Sequence, residues 1–252
     1  MAYIGDVIGM KTILKMMLPD RVVARLRYYR QREGIVRWGS LRRLEPVNRL
    51  FGTDRGTPID RHYIESFLEA HSGDIAGEVL EIAESTYSRQ FGAERVAKFH
   101  VLHAEEGNPD ATLVGDLESG RGIPENAYDC MILTQTLPFI FDFQSAIRTC
   151  HRALRDNGVL LATMAGISQI SRYDMDRWGD YWRFTSLSAQ RCFADVFGED
   201  QVMVQSHGNV LTSTAFLHGL VAEDLRSEEL DHRDSDYQLI IAVRAKKMRL
   251  TW

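Results

Sequence analysis

The chain has 252 residues, 44% of them hydrophobic and 26% charged, and carries a net charge of −5. That length and mix suit one α/β domain with a modest extension, and exclude a disordered or fibrous chain. The charge is unevenly spread, +7 over residues 1–50 and −12 over the rest.

In chain order, residues 7–18 read as a short amphipathic helix stopped by Pro19, and Asp20 as the cap of a second helix ending near Gly34. Ile8, Ile13, Leu14, Met17 and Leu18, with Lys11 and Lys15 beside them, suit either a packing arm or an interfacial anchor. The basic residues are spread out and not interleaved with aromatics, so the arm implies anionic partners other than nucleic acid. Peripheral membrane contact through it is one expectation, and docking on the acidic body of the same chain is another. Residues 51–61 form a glycine-flanked loop, a frequent lid type, in which Arg55 is a candidate substrate contact. Thr57 reads as the N-cap of the following helix, Pro58 as its first residue and Asp60 as the capping-box acid.

From residue 77 the pattern alternates as in an α/β domain. Strands are expected at 79–83, 96–102, 111–114, 129–133, 158–164, 202–205 and 237–243. Helices are expected at 142–155, from Thr185 or Ser188 to Phe197, and at 215–225. The resulting division is a helical arm and lid over 1–70 and a catalytic core over 71–252. Cys130, Cys150 and Cys192 are widely separated and form no CxxC pair, which implies core thiols in a reducing compartment and no zinc site. No apolar run reaches membrane-spanning length. A cytoplasmic protein, with or without membrane association, is the expectation.

The strand ending in Val79-Leu80-Glu81-Ile82-Ala83, with the elements after it, resembles the class I methyltransferases that use S-adenosylmethionine (SAM). The resemblance covers residues 77–245. It implies a Rossmann-like α/β fold, a seven-stranded, mostly parallel sheet with an antiparallel last strand. It also implies SAM as cofactor and no metal. Glu81 matches the acid that helps hold the amino-acid end of SAM. The family's glycine turn is replaced here by Ala83, Glu84, Ser85 and Tyr87, with Ala83, Ser85 and Tyr87 in the glycine places. Tyr87 resists the left-handed dihedrals glycine adopts, so its ring either lines the methionine pocket or reshapes the turn. His100 falls where the ribose-binding acid is expected, with His103 on the same rim. Asp116 and Leu117 match the adenine contacts, and Gln135 the position facing the sulfonium and the acceptor. A narrower resemblance, to bacterial methyltransferases of glycan and polysaccharide assembly, rests on residues 51–61 and 166–185.

Residues 168–184 are too polar for a core helix and too aromatic for a plain loop. Aromatic faces stack on sugar rings, while Asp and Arg bind hydroxyls or phosphates. Tyr173, Trp178, Tyr181, Trp182 and Arg183 are therefore expected to line an acceptor cleft, with Asp174 or Asp176 as general base. His207 is a reserve base. The leading expectation is O-methylation of a saccharide or glycoconjugate hydroxyl. The alternatives are a methyltransferase of small natural products, or a non-catalytic binding protein that keeps the fold. A dinucleotide oxidoreductase is disfavoured because Gly-x-Gly-x-x-Gly is missing after strand one.

Overall fold

The computed structural model describes residues 19, 21–22 and 39–248. The helices expected at 7–18 and 20–34, and with them the interfacial-anchor reading, lie outside the described residues. The chain divides into two units, Met1–Leu44 and Glu45–Trp252. Described structure in the first is largely a single 3-10 turn, Gly39–Leu41.

The second unit is a seven-stranded sheet flanked by helices. Its strands are β1 (Gly77–Ile82), β2 (Val96–His103), β3 (Leu113–Val114), β4 (Tyr128–Thr134), β5 (Leu154–Ala165), β6 (Val202–His207) and β7 (Ile240–Lys246). Its helices are α1 (Ile59–Ala70), α2 (Phe143–Ala153), α3 (Arg172–Met175), α4 (Ser186–Phe197), α5 (Val210–Leu217) and α6 (Ser227–Asp231). The sheet order is 3-2-1-4-5-7-6, and β7 runs antiparallel to both neighbours. The order reverses between β1 and β4, so the crevice at their carboxyl ends is the place for a ligand.

Burial on both sheet faces explains the near-continuous apolar runs of the central strands. In β4, Cys130 and Ile132 pack with Ile64, Phe67 and Leu68 of α1 on one face. Met131 and Leu133 pack with Ile147 of α2 and Phe193 of α4 on the other. A third cluster joins Ile59 and Tyr63 of α1 to Phe216 and Leu239. Helix α1, assigned from sequence to the arm, is thus part of the core of the second unit. Among the described residues no helix is long and apolar enough to cross a membrane.

Several boundaries differ from the sequence expectations. Thr57 does not cap α1: Pro58 occupies the cap place, while the Thr57 hydroxyl donates to Glu223 Oε1 at 2.8 Å. Helix α5 starts at Val210 and not at residue 215, because Asn209 caps it, accepting from the Leu211 and Thr212 N–H groups. It stops at Leu217, and Gly219 turns the chain at φ 68°. Strand β7 begins at Ile240 because Tyr237 is held in a turn by Asp234. Strand β5 begins four residues early, and its register jumps from Tyr128↔Leu154 to Cys130↔Val159, with Asn157 at φ 65° in the excursion.

Candidate active site

Two adjoining cavities open at the carboxyl edge of the sheet. The larger, about 560 Å³, is lined by the ends of β1, β2 and β4 and by the 115–118 loop. That volume lies in the range of ordinary ligand sites, roughly 300–1,000 Å³. The smaller, about 120 Å³, lies between the head of α1, the loop after β4 and residues 165–183. Gln135, Phe139 and Asp174 line both.

The first turn forms without its glycines. Ala83 adopts φ 68°, the left-handed conformation that glycine usually provides. Its strained backbone is held from both sides, the Ala83 N–H donating to Leu102 O at 2.9 Å and Asn108 Nδ2 donating to Ala83 O at 2.7 Å. Ala83 and Glu84 line the large cavity. Glu81 is only 2% exposed and does not. Its carboxylate accepts from the N–H groups of Tyr87 (3.0 Å) and Ser88 (2.8 Å), so it shapes the turn from beneath. Burial raises its pKa, against the lowering effect of those bonds.

Ser85 and Tyr87 also lie outside both cavities. Ser85 Oγ accepts from Arg89 Nε. Tyr87 packs with Phe91 against the α1 face of the core, and burial pushes its phenol up to about 12. The ring neither lines the large cavity nor plugs it; the turn is reshaped instead.

His100 is a second correction. It lies within β2, paired with Glu78 (2.5 Å) and edge-on to Tyr128, away from the cavity. The parallel register Ile82↔Leu102 puts His103 at the rim instead, where it lines the large cavity with its edge toward Trp178. Asp116 and Leu117 line the same cavity. The Asp116 carboxylate accepts from Ser119 Oγ (2.6 Å) and Glu118 N (2.9 Å), which hold its pKa below the usual range. A carboxylate has about four acceptor sites, so capacity toward a ligand remains. Gln135 has φ 50°, its N–H donates to Thr163 O, and its buried Nε2 has no partner among the described residues. An unpaired buried amide costs roughly 1–3 kcal/mol, a penalty that a ligand acceptor would remove.

Residues 168–184 divide between cavity and surface. Trp178 and Arg177 line the large cavity, Arg183 and Asp180 the small one, and Asp174 both. Asp176 lines neither and pairs with Arg172 in solvent, at 3.2 Å. Tyr173 is also outside, 65% exposed beneath the Arg177 guanidinium. Tyr181 and Trp182 pack on Phe141 beside the small cavity, and Trp182 Nε1 donates to Phe141 O. Arg55 pairs with Asp224 at 3.2 Å, outside both cavities. His207 is buried against Tyr63, where desolvation lowers its pKa to about 4, and it reaches neither cavity. Sequence reasoning missed Asp60, Asp180, Thr134, Thr136 and Phe139 as cavity residues.

Residues 67–162 match the methyltransferase-domain family. A SAM-dependent methyltransferase from Archaeoglobus fulgidus superimposes with TM-score 0.50 at 11% identity, over 74% of this chain and 94% of that one. A second, from Mesorhizobium loti, gives 0.48 at 14% identity, over 75% and 98%. A phosphoethanolamine-type N-methyltransferase from Haemonchus contortus, solved with S-adenosylhomocysteine (SAH), gives 0.49 at 13%, over 75% and 53%. No curated protein matches the chain. Residues 67–162 thus match a methyltransferase domain, and the sheet around them has the fold of the class I methyltransferases, whose cofactor is SAM.

The large cavity fits that cofactor. It offers a carboxylate (Asp116), the backbone of Leu117, a rim histidine and an orphaned amide at Gln135. When bound, SAM supplies a methyl group on a sulfonium leaving group. The protein's part is to hold donor and acceptor in line, which is worth up to roughly 7–11 kcal/mol of the barrier.

Proposed function

We propose that this enzyme methylates a hydroxyl of a saccharide or glycoconjugate, with the acceptor entering through the small cavity. The observation that carries this reading is the make-up of that chamber. Asp60, Ser168, Gln169, Ser171, Asp174, Asp180 and Arg183 line it beside Phe51, Pro138, Phe139 and Ala165, so hydrogen-bonding side chains and apolar faces meet in one wall, as a sugar edge requires. Its volume is about 120 Å³ and it opens to solvent, so it can receive a hydroxyl-bearing edge of a ring. The remainder of the acceptor would lie on the exposed aromatic group of Phe141, Tyr181 and Trp182 outside.

In this reading Asp116, Leu117, His103, Ala83 and Glu84 border the cofactor. Gln135 and Asp174 stand where cofactor and acceptor meet, Asp174 orienting the hydroxyl, while Trp178 and Arg183 contact ligand from the cavity walls. The basic first fifty residues suit an anionic surface on the cytoplasmic side of a membrane, where glycoconjugate acceptors are presented.

The test is SAH release from SAM with three acceptor sets: neutral methyl glycosides, simple phenols and primary amines. Turnover with the glycosides is expected, and turnover with phenols or amines alone contradicts the saccharide reading. With the active set, Asp174→Asn is expected to slow turnover at least about tenfold, the loss of one oriented hydrogen bond. Asp176→Asn is expected to stay within about twofold, since that carboxylate lines neither cavity and pairs with Arg172 in solvent.

A further inference from the structure

Three carboxylates line the side chamber, and their partners separate them. Asp180 is held by Arg183 in a two-point ion pair (2.5 and 2.9 Å) and accepts from Ser171 N at 3.0 Å. Burial pushes its pKa upward, but these bonds outweigh that and leave it lowered. Asp174 accepts from Ser171 Oγ at 2.5 Å. Asp60 accepts only from the N–H of Arg61, its own neighbour on α1, at 2.8 Å among the described hydrogen bonds. Asp60 and Asp174 each keep lone pairs uncommitted, and of these two Asp60 is the one fixed on the core helix α1, on a wall shared with Gln135 and Phe139, which makes it the candidate to receive a proton.

Its placement is rigid. Asp60 lies in the first turn of α1 between Ile59 (0% exposed) and Tyr63 (3% exposed), both anchored in the core. The charged and titratable groups facing it are Arg61 on the same helix, Tyr87 from the turn after β1, and Asp174, Asp180 and Arg183 across the chamber. Arg183, the cation across the chamber among the described residues, is paired with Asp180.

Resting on the reading above, we propose that Asp60 is the general base that takes the acceptor hydroxyl's proton. The acceptor oxygen forms its bond to the methyl carbon as the carbon–sulfur bond breaks. The bonding pair stays on sulfur, which becomes a neutral thioether. The hydroxyl proton passes to the Asp60 carboxylate and later to water. Asp174 orients the hydroxyl and Asp60 deprotonates it.

Desolvation raises the Asp60 carboxyl to about 6, close to working pH, where a base combines ionisation with proton affinity. The base must be ionised, so activity rises as pH increases through that value.

The experiment measures SAH release from SAM and neutral methyl hexopyranosides between pH 5 and 9, beside calorimetric SAM affinity. Asp60→Asn is expected to lower kcat at pH 7.5 by about 10²–10⁴-fold, to remove the acid limb of the profile, and to leave the SAM Kd within about twofold. Retained kcat, or an acid limb unchanged in the variant, overturns the proposal. So does a tenfold loss of SAM affinity, which would place Asp60 on the cofactor's ammonium group instead. Should the wild type use no glycoside, the saccharide reading fails separately, and a ¹³C NMR titration of Asp60 with saturating SAH decides the base. A midpoint above about 5 supports it, and one at the ordinary ~3.9 overturns it.

Discussion

Replacing Glu81 by alanine is expected to lower the melting temperature by about 5–10 °C and to weaken SAM binding at least about tenfold. Glu81 is a buried carboxylate whose two oxygens accept from consecutive backbone N–H groups, those of Tyr87 and Ser88. Alanine leaves both donors without a partner, and each such loss costs roughly 1–3 kcal/mol. Burial has already raised the carboxyl's pKa, so its desolvation offsets part of the gain and the net loss is about 2–3 kcal/mol. The cofactor effect follows from position. The same carboxylate anchors the far end of the turn whose near end, Ala83 and Glu84, borders the large cavity. A thermal melt and a calorimetric titration with SAM check the two parts. An unchanged melting temperature would show that the turn holds itself without Glu81.

Asp60→Asn is expected to stabilise the protein at neutral pH and not at pH 4. The folded state raises this carboxyl from 3.8 to about 6. Below 3.8 the group is protonated in both states and makes no difference. Between 3.8 and 6 the unfolded chain ionises while the folded one resists, so stability drains away as pH rises. Above 6 the penalty is complete, up to about 3 kcal/mol at ~1.4 kcal/mol per unit. Asparagine fills the same space without the charge, so the variant gains several degrees at pH 7.5 and nothing at pH 4. Thermal melts of both proteins at the two pH values test this. A variant less stable at pH 7.5 would mean that the carboxylate is structurally required. Stabilisation coupled to lost turnover is the pattern expected of a group kept for chemistry.

The sheet was legible because its central strands are apolar on both faces and separated by turn signals, as in Val79–Ile82 and Cys130–Leu133. The lining of the large cavity was legible where it follows from a strand end, as at Ala83, Asp116 and Gln135. Elsewhere local pattern misled. His100 and His103 are three residues apart, and only the register of β2 on β1 decides which one reaches the rim. Asp60 reads locally as a capping-box acid, although the helix start carries no side-chain cap bond. Its place in the chamber depends on residues 165–183, more than a hundred positions away, and no spacing rule contains that. Residues 172–175 form a single helical turn, and two residues of difference send Asp174 inward and Asp176 to solvent. Helix α5 was misplaced because its cap, the Asn209 side chain, was not among the expected helix starts.

The central claim is that the cavity at the carboxyl ends of β1, β2 and β4 holds SAM despite its glycine-poor turn. A crystal structure of the full chain with SAH measures this most directly. The account predicts adenine against Asp116 and Leu117, the sulfur facing Gln135, and Tyr87 still packed on Phe91. A nucleoside bound anywhere else, or a cavity left empty at millimolar SAH, would contradict it.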